Sequence, residues 1–181
     1  MLTSLQNRKL TRLFNVYDVN RSEYIEKSDF EQIVTNLAKY QGRTIDTQAY
    51  KTAYSGFLAS WDNLRGFTDR NNDGRVSLPE FCAYYDKLGA QRGAFEVEAS
   101  MLIKIIIDIC DKNGDGKLSP DEYLAFLKIC QLDDASANEL FIQFDENHDG
   151  YLSVDELLPL LVEFYESDDP QALGNSFFGR Y

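Results

Sequence analysis

The chain has 181 residues, with 30 Asp and Glu against 18 Lys and Arg, giving a formal net charge of −12. That sign excludes the counterion-displacing surface of a nucleic-acid or anionic-membrane binder, while 44% hydrophobic and 13% aromatic residues exclude a disordered acidic polymer. The length fits one compact domain or two small lobes.

In chain order, Met1-Leu2-Thr3-Ser4 carries no basic-plus-apolar leader, and Leu2 stands where myristoylation needs glycine. Leu13 and Phe14 run into the acidic segment Asp18 to Asp29 (DVNRSEYIEKSD), after which Phe30, Ile33, Val34 and Leu37 keep helical spacing. A polar break near Gln41 to Gln48 precedes an aromatic helix over Tyr50 to Phe67, with Phe57, Leu58, Trp61, Leu64 and Phe67 as its apolar stripe. Asp69 to Glu80 (DRNNDGRVSLPE) follows, and Phe81, Tyr84, Tyr85 and Leu88 lead away from it. Leu102, Ile103, Ile106, Ile107 and Cys110 enter the next acidic segment, Asp111 to Glu122 (DKNGDGKLSPDE). The apolar run from Met101 to Cys110 is too short to span a bilayer and contains Lys104 and Asp108. Tyr123, Phe126, Leu127 and Cys130 leave that segment, then Leu140, Phe141 and Phe144 enter Asp145 to Glu156 (DENHDGYLSVDE), and Leu157, Leu160, Leu161 and Phe164 leave it. These stripes are assigned to the core. An acidic, Pro-containing stretch from Glu166 to Leu173 precedes Phe177, Phe178 and Tyr181, a tail too apolar to stay solvated.

The segments at 69–80, 111–122 and 145–156 share one pattern, D-x-N-x-D-G-x-(V/L)-S-x-x-E. It is similar to the EF-hand calcium loop, whose oxygens come from positions 1, 3, 5, 7, 9 and 12. A hard divalent cation wants oxygen ligands in number, and alternating acids and amides wrap it. The metal ligands read from the pattern are Asp69, Asn71, Asp73, the Arg75 carbonyl and Glu80 in one loop. They are Asp111, Asn113, Asp115, the Lys117 carbonyl and Glu122 in the next, and Asp145, Asn147, Asp149, the Tyr151 carbonyl and Glu156 in the last. Gly74, Gly116 and Gly150 supply the bend at position 6. Ser77, Ser119 and Ser153 stand three residues before the closing glutamate, forming an S-x-x-E capping box for each exit helix, and Pro120 suits a first helical position.

Asp18 to Asp29 reads as a degenerate fourth copy. Asp18, Asn20 and Ser22 fill positions 1, 3 and 5, but Glu23 replaces the bend glycine and Asp29 the closing glutamate, a shortening that favours the smaller Mg2+. A structural role is expected of it, with Ile25 opposite Val76 and Leu118 opposite Leu152 in paired loops.

Loop starts lie 51, 42 and 34 residues apart. That spacing, the Leu13-Phe14 run, a first loop ending in Asp29 and the closing Gly174-Asn175-Ser176-Phe177-Phe178-Gly179 resemble the sarcoplasmic calcium-binding proteins, calexcitin and calerythrin. The resemblance implies an all-α fold of four EF-hand helix-loop-helix units in two packed pairs, a compact globule with a docked C-terminal segment. The pairs are expected at 1–92 and 93–181. That family commonly binds through its first loop and often loses the second, the reverse of the pattern here.

The function expected is an intracellular, cytoplasmic Ca2+ buffer or store with three Ca2+ sites and Mg2+ competition, not an enzyme, and a monomer without membrane anchor or nucleic-acid partner. A calexcitin-like sensor is the alternative. Only Met1 and Met101 are available for an adaptable target groove, which favours the buffer. A coelenterazine-type carrier is the third reading. Light emission is disfavoured because the one histidine, His148, falls at a non-ligand loop position. Cys82, Cys110 and Cys130 are odd in number, lie in apolar runs and read as reduced core thiols. Asp133-Asp134 and Asp168-Asp169 read as solvated or capping acids.

Overall fold

A computed structural model describes residues 1–42, 48–132 and 134–181. Residues 43–47 of the polar break and Asp133 of the first acid pair lie outside the described residues. Helix α1 spans Ser4–Tyr17, α2 Lys27–Tyr40, α3 Gln48–Thr68 and α4 Leu78–Leu88. Helix α5 spans Ala94–Cys110, α6 Pro120–Ile129, α7 Asp134–Phe144 and α8 Val154–Glu166. Strands β1 (Tyr24–Ile25) and β2 (Val76–Ser77) and a 3-10 turn at Leu173–Ser176 complete the described elements. No helix among the described residues is long and apolar enough to cross a membrane.

Local chemistry sets the helix starts. Thr3 caps α1 by accepting the Gln6 N–H at 3.2 Å, while Gln6 Oε1 accepts the Thr3 N–H at 3.0 Å. Ser77, Ser119 and Ser153 each precede an exit helix in the same reciprocal arrangement, and Pro120 is the first residue of α6, where no N–H is needed. Between helices, the position-8 residues of adjacent loops pair as expected of paired loops. Ile25 lies opposite Val76 in the antiparallel β1–β2 ladder. Leu118 and Leu152 exchange both backbone hydrogen bonds, at 2.9 and 2.8 Å. All four of these side chains are fully buried.

The helices bury one continuous apolar core. In the first pair Phe30 packs against Phe57 and Trp61, with ring centroids 4.9 and 5.5 Å apart. In the second, Phe126, Phe144 and Phe164 receive the tail aromatics Phe177 and Phe178 at 5.0 to 6.2 Å. Helix α5 packs on α8, and α2 on α6, so the two pairs share that core. Three assignments to the core need correction. Phe67 is 71% exposed, because the buried face of α3 runs through Phe57, Trp61 and Thr68 and leaves Phe67 to one side, where it stacks on Tyr84 at the surface. Cys82 is only half-buried, although Cys110 and Cys130 are buried and no disulfide joins the three. Tyr181 remains 38% exposed, its ring under the Arg8 guanidinium.

Helix α1 holds the tail. Lys9, 1% exposed, points its ammonium at the C-terminal end of α8, donating to the Ser167 carbonyl at 2.8 Å and to Asn175 Oδ1 at 2.9 Å. Cation and helix C-terminus are electrostatically matched there. Burial lowers its pKa to about 8, against the pull of Asp168 and Glu163. Arg12 donates to the carbonyls of Phe178 and Cys130. Gly174 fits because a Cβ there would strike the Leu160 carbonyl and the Glu163 side chain. Its N–H instead reaches Glu163 Oε2 at 2.6 Å. Asp168 accepts the Thr3 hydroxyl and Asp169 the Gln171 N–H; both acids are exposed, so the pair is solvated and neither member caps a helix.

Candidate metal centres

Each acidic segment lies between two helices and folds the same way. The first-position aspartate accepts the N–H of position 6: Gly74 to Asp69 at 3.0 Å, Gly116 to Asp111 at 2.8 Å and Gly150 to Asp145 at 3.0 Å. The third-position amide accepts the N–H of position 5, in Asn71 from Asp73 at 2.9 Å, Asn113 from Asp115 at 2.9 Å and Asn147 from Asp149 at 2.7 Å. The fifth-position acid accepts the N–H of position 7, from Arg75, Lys117 and Tyr151, each at 2.9 Å. These bonds fix the acid and amide side chains on the inner side of the bend, while the rim stays exposed.

The closing glutamates join both ends of their loops. Oε2 of Glu80, Glu122 and Glu156 accepts the N–H and hydroxyl of Ser77, Ser119 and Ser153 at 2.9 and 2.7 Å in every case. Oε1 reaches back to the loop entrance, taking the N–H of Arg70 at 3.1 Å, of Lys112 at 2.6 Å and of Asn147 at 3.3 Å. Burial works against charge on each glutamate, but these donors outweigh it and hold all three below the usual carboxylate range.

Among the described residues, no three His, Cys, Asp or Glu side chains are gathered into an all-acid cluster. The donor sets instead mix carboxylate, amide and carbonyl oxygen, and like-charged carboxylates are drawn onto N–H groups rather than onto each other. One atom tests the fit of a cation directly: Asp69 Oδ1 is buried and has no hydrogen-bond partner among the described residues. An anionic oxygen left so is costly and is what a hard cation satisfies.

The first loop copies the scaffold without the carboxylate at position 5. Asp18 accepts the N–H groups of Ser22 and Glu23, both at 2.9 Å, and Asn20 that of Ser22 at 2.8 Å. Neutral Ser22 stands at position 5, its hydroxyl donating to the Tyr24 carbonyl at 3.1 Å. Glu23 takes the bend at φ +70°, close to the +85°, +80° and +83° of Gly74, Gly116 and Gly150. Asp29 is fully buried and accepts the N–H of Glu26 at 2.8 Å and of Asn20 at 3.2 Å. Burial raises its pKa despite those two bonds, and the Asp18 and Glu26 charges add to the rise.

Two features escape a reading of the motif. Position 4 is also left-handed in every loop, at Arg21, Asn72, Gly114 and His148, with φ between +57° and +79°. Asn72, Gly114 and His148 suit that conformation, whereas nothing in Arg21 signals it. Position 7 carries an alternation legible in retrospect: Tyr24 and Arg75 in one pair, Lys117 and Tyr151 in the other. His148 is exposed on the loop rim.

Comparison with known proteins agrees with this geometry. The EF-hand domain pair profile matches residues 7–86 and the EF hand profile matches 103–127 and 138–158. Calerythrin of Saccharopolyspora erythraea is 28% identical over 167 residues, covering 91% of this chain and 94% of calerythrin. The sarcoplasmic calcium-binding protein alpha chain of Penaeus vannamei is 28% identical over 193 residues, covering 99% and 97%. The calcium-loaded apo form of the coelenterazine-binding protein from Renilla muelleri superposes with a TM-score of 0.82 at 27% identity, covering 99% of this chain and all of that one. The chain is therefore a member of the EF-hand superfamily, with calerythrin and the sarcoplasmic calcium-binding proteins among its homologues.

Proposed function

We propose that this protein is an intracellular calcium buffer that takes up three Ca2+ reversibly and performs no catalysis. The ligands are Asp69, Asn71, Asp73, the Arg75 carbonyl and Glu80, with the corresponding sets beginning at Asp111 and Asp145. The observation that carries this reading is the threefold recurrence of one arrangement, in which acid, amide and acid are fixed by successive backbone N–H groups and a glutamate closes the ring. Calcium supplies the positive charge; the chain fixes its oxygens in place and brings both ends of each loop together. The Asp18 loop acts as scaffold for its neighbour through the Ile25–Val76 pairing.

Buffer is preferred to sensor because Phe177 and Phe178 occupy the interior of the second pair, the apolar face a sensor would open to a partner. Likeness to a coelenterazine-binding protein favours a carrier as second reading. Against it, the apolar cavity between α1, α5 and α6, lined by Leu13, Ile106 and Phe126 among others, measures about 30 Å³, while the cleft of about 800 Å³ beside the Asp18 loop is lined by Arg12, Asp18, Arg21 and Glu23, charged groups ill suited to an apolar ligand. Sites for drug-sized ligands occupy roughly 300–1,000 Å³. Calorimetry with native mass spectrometry tests the proposal: three Ca2+ per chain are expected, and two or fewer would refute it. A large calcium-induced rise in hydrophobic-dye binding would favour the sensor, and an organic chromophore retained through purification the carrier.

A further inference from the structure

Each pair of loops sets a cation at position 7 of one loop against a tyrosine at position 7 of the other. Arg75 lies over the Tyr24 ring, 4.3 Å from its centroid, and the Lys117 ammonium lies 5.6 Å from that of Tyr151. In the loop pattern position 7 gives the metal only its backbone carbonyl, so its side chain can cross to the neighbouring loop. The pairs differ in the aspartate that the cation then meets. Arg75 turns back to Asp73 of its own loop, at 3.7 Å. Lys117 Nζ crosses to Oδ2 of Asp149, the position-5 acid of the other loop, at 2.8 Å. With Oδ1 accepting the Tyr151 N–H at 2.9 Å, both oxygens of Asp149 are engaged. The equivalent Asp115 accepts neutral N–H groups, from the Asn113 side chain at 2.8 Å and the Lys117 backbone at 2.9 Å.

We propose that Lys117 is a positioning residue that competes with Ca2+ for Asp149. The Asp111 loop then fills before the Asp145 loop, and loading of the latter breaks the side-chain link between them. This rests on the calcium reading of those two loops. The ammonium offers one positive charge to an oxygen that the incoming cation also needs, so it must be displaced. Lys117 and Asp149 are about equally exposed, at 41% and 36% of their side-chain surface. An ion pair of that exposure is worth roughly a two- to fivefold change in affinity.

Site-resolved NMR titration of the full chain tests it, with the amides of Gly116 and Gly150 as reporters of the two loops. In the wild type Gly116 is expected to respond at lower calcium than Gly150. Lys117→Met and Lys117→Gln should each strengthen binding at Gly150 by roughly two- to fivefold more than at Gly116. Lys112→Met is the control: it removes a charge from the same loop, but that ammonium sits on the Gln41 carbonyl at 3.0 Å, and the two reporters should move alike. Without calcium, in EDTA, Lys117→Met should shift the Tyr151 ring signals and the Asp149 carboxyl carbon. Weaker or unchanged binding at Gly150, a Lys112→Met effect equal to that of Lys117→Met, or undisturbed Tyr151 and Asp149 signals in EDTA would each overturn the tether alone. Silence of both glycine amides toward calcium in the wild type would instead remove the calcium reading beneath it.

Discussion

The Asp18 and Asp69 loops face each other across a ladder of two residue pairs, with the same left-handed turns at positions 4 and 6, yet their chemistry differs. In the second, position 5 holds a carboxylate and position 12 a glutamate, and Asp69 Oδ1 is buried with no hydrogen-bond partner among the described residues. In the first, Ser22 is neutral, and Asp29, held by backbone N–H groups alone, is buried enough for its proton affinity to rise. The serine hydroxyl that helps keep Glu80 ionised has no counterpart, since Glu26 stands at that position. Backbone shape in an EF-hand loop is thus separable from charge: pairing with a neighbour holds the shape even where a glutamate must adopt positive φ.

The largest expected effect is on stoichiometry. Glu122→Gln or Glu156→Gln should lower calcium uptake from three to two per chain by calorimetry, because the closing ligand loses its charge, whereas Asp29→Asn should leave the count unchanged. If Asp29→Asn also removes one ion, the contrast between the first loop and the others is wrong. Next in size is an exchange of bend residues. Gly74→Glu should destabilise the calcium-depleted protein by about 1–2 kcal/mol in urea unfolding, the cost of a left-handed backbone with a side chain. Glu23→Gly should stabilise it by about 1 kcal/mol or less, since relief of the left-handed strain is partly offset by the extra freedom that glycine gives the unfolded chain. The same Glu23→Gly change should improve metal binding at the first loop, and an unaltered calcium titration would show that charge, not the bend, limits that loop.

The smallest effect concerns pH in the calcium-depleted protein. Asp29 has a folded pKa above the ordinary 3.8, so the folded state holds its proton more tightly. Its contribution to stability is complete below 3.8 and is lost as pH rises through the folded value. Glu80, Glu122 and Glu156 behave oppositely: each contributes above the ordinary 4.5, and that contribution is lost as pH falls through the lowered folded value. Carboxyl-carbon NMR should therefore find Asp29 taking up its proton above the normal aspartate range and the three glutamates below the normal glutamate range. Both kinds of group titrating at their ordinary values would erase the contrast.

Much of this was legible in the residues. Helical spacing of Phe30, Ile33, Val34 and Leu37, and of the stripes beside the other loops, reports burial directly, because a helix shows one face to the core. The S-x-x-E boxes follow from local rules that need no knowledge of the rest of the chain, whereas the Ile25–Val76 and Leu118–Leu152 pairings were legible only because the loop pattern implies that loops pair. Periodicity failed at Phe67, because the buried face of α3 closes on the polar Thr68 one residue later and the aromatic falls to the side of it. It also gave no sign that Lys9 would be enclosed by residues more than 150 positions away.

The sequence by itself determined the four helix-loop-helix units, the places where the chain bends and the oxygens each loop holds, since these depend on contacts within about a dozen residues. The tertiary structure decided which charges meet. Asp149 carries Lys117 only because two loops distant in sequence share a bridge at Leu118 and Leu152. Lys9 is buried only because α1, the end of α8 and the tail converge on one point. Electrostatic strength depends on distance and burial, and neither is fixed until the elements have packed.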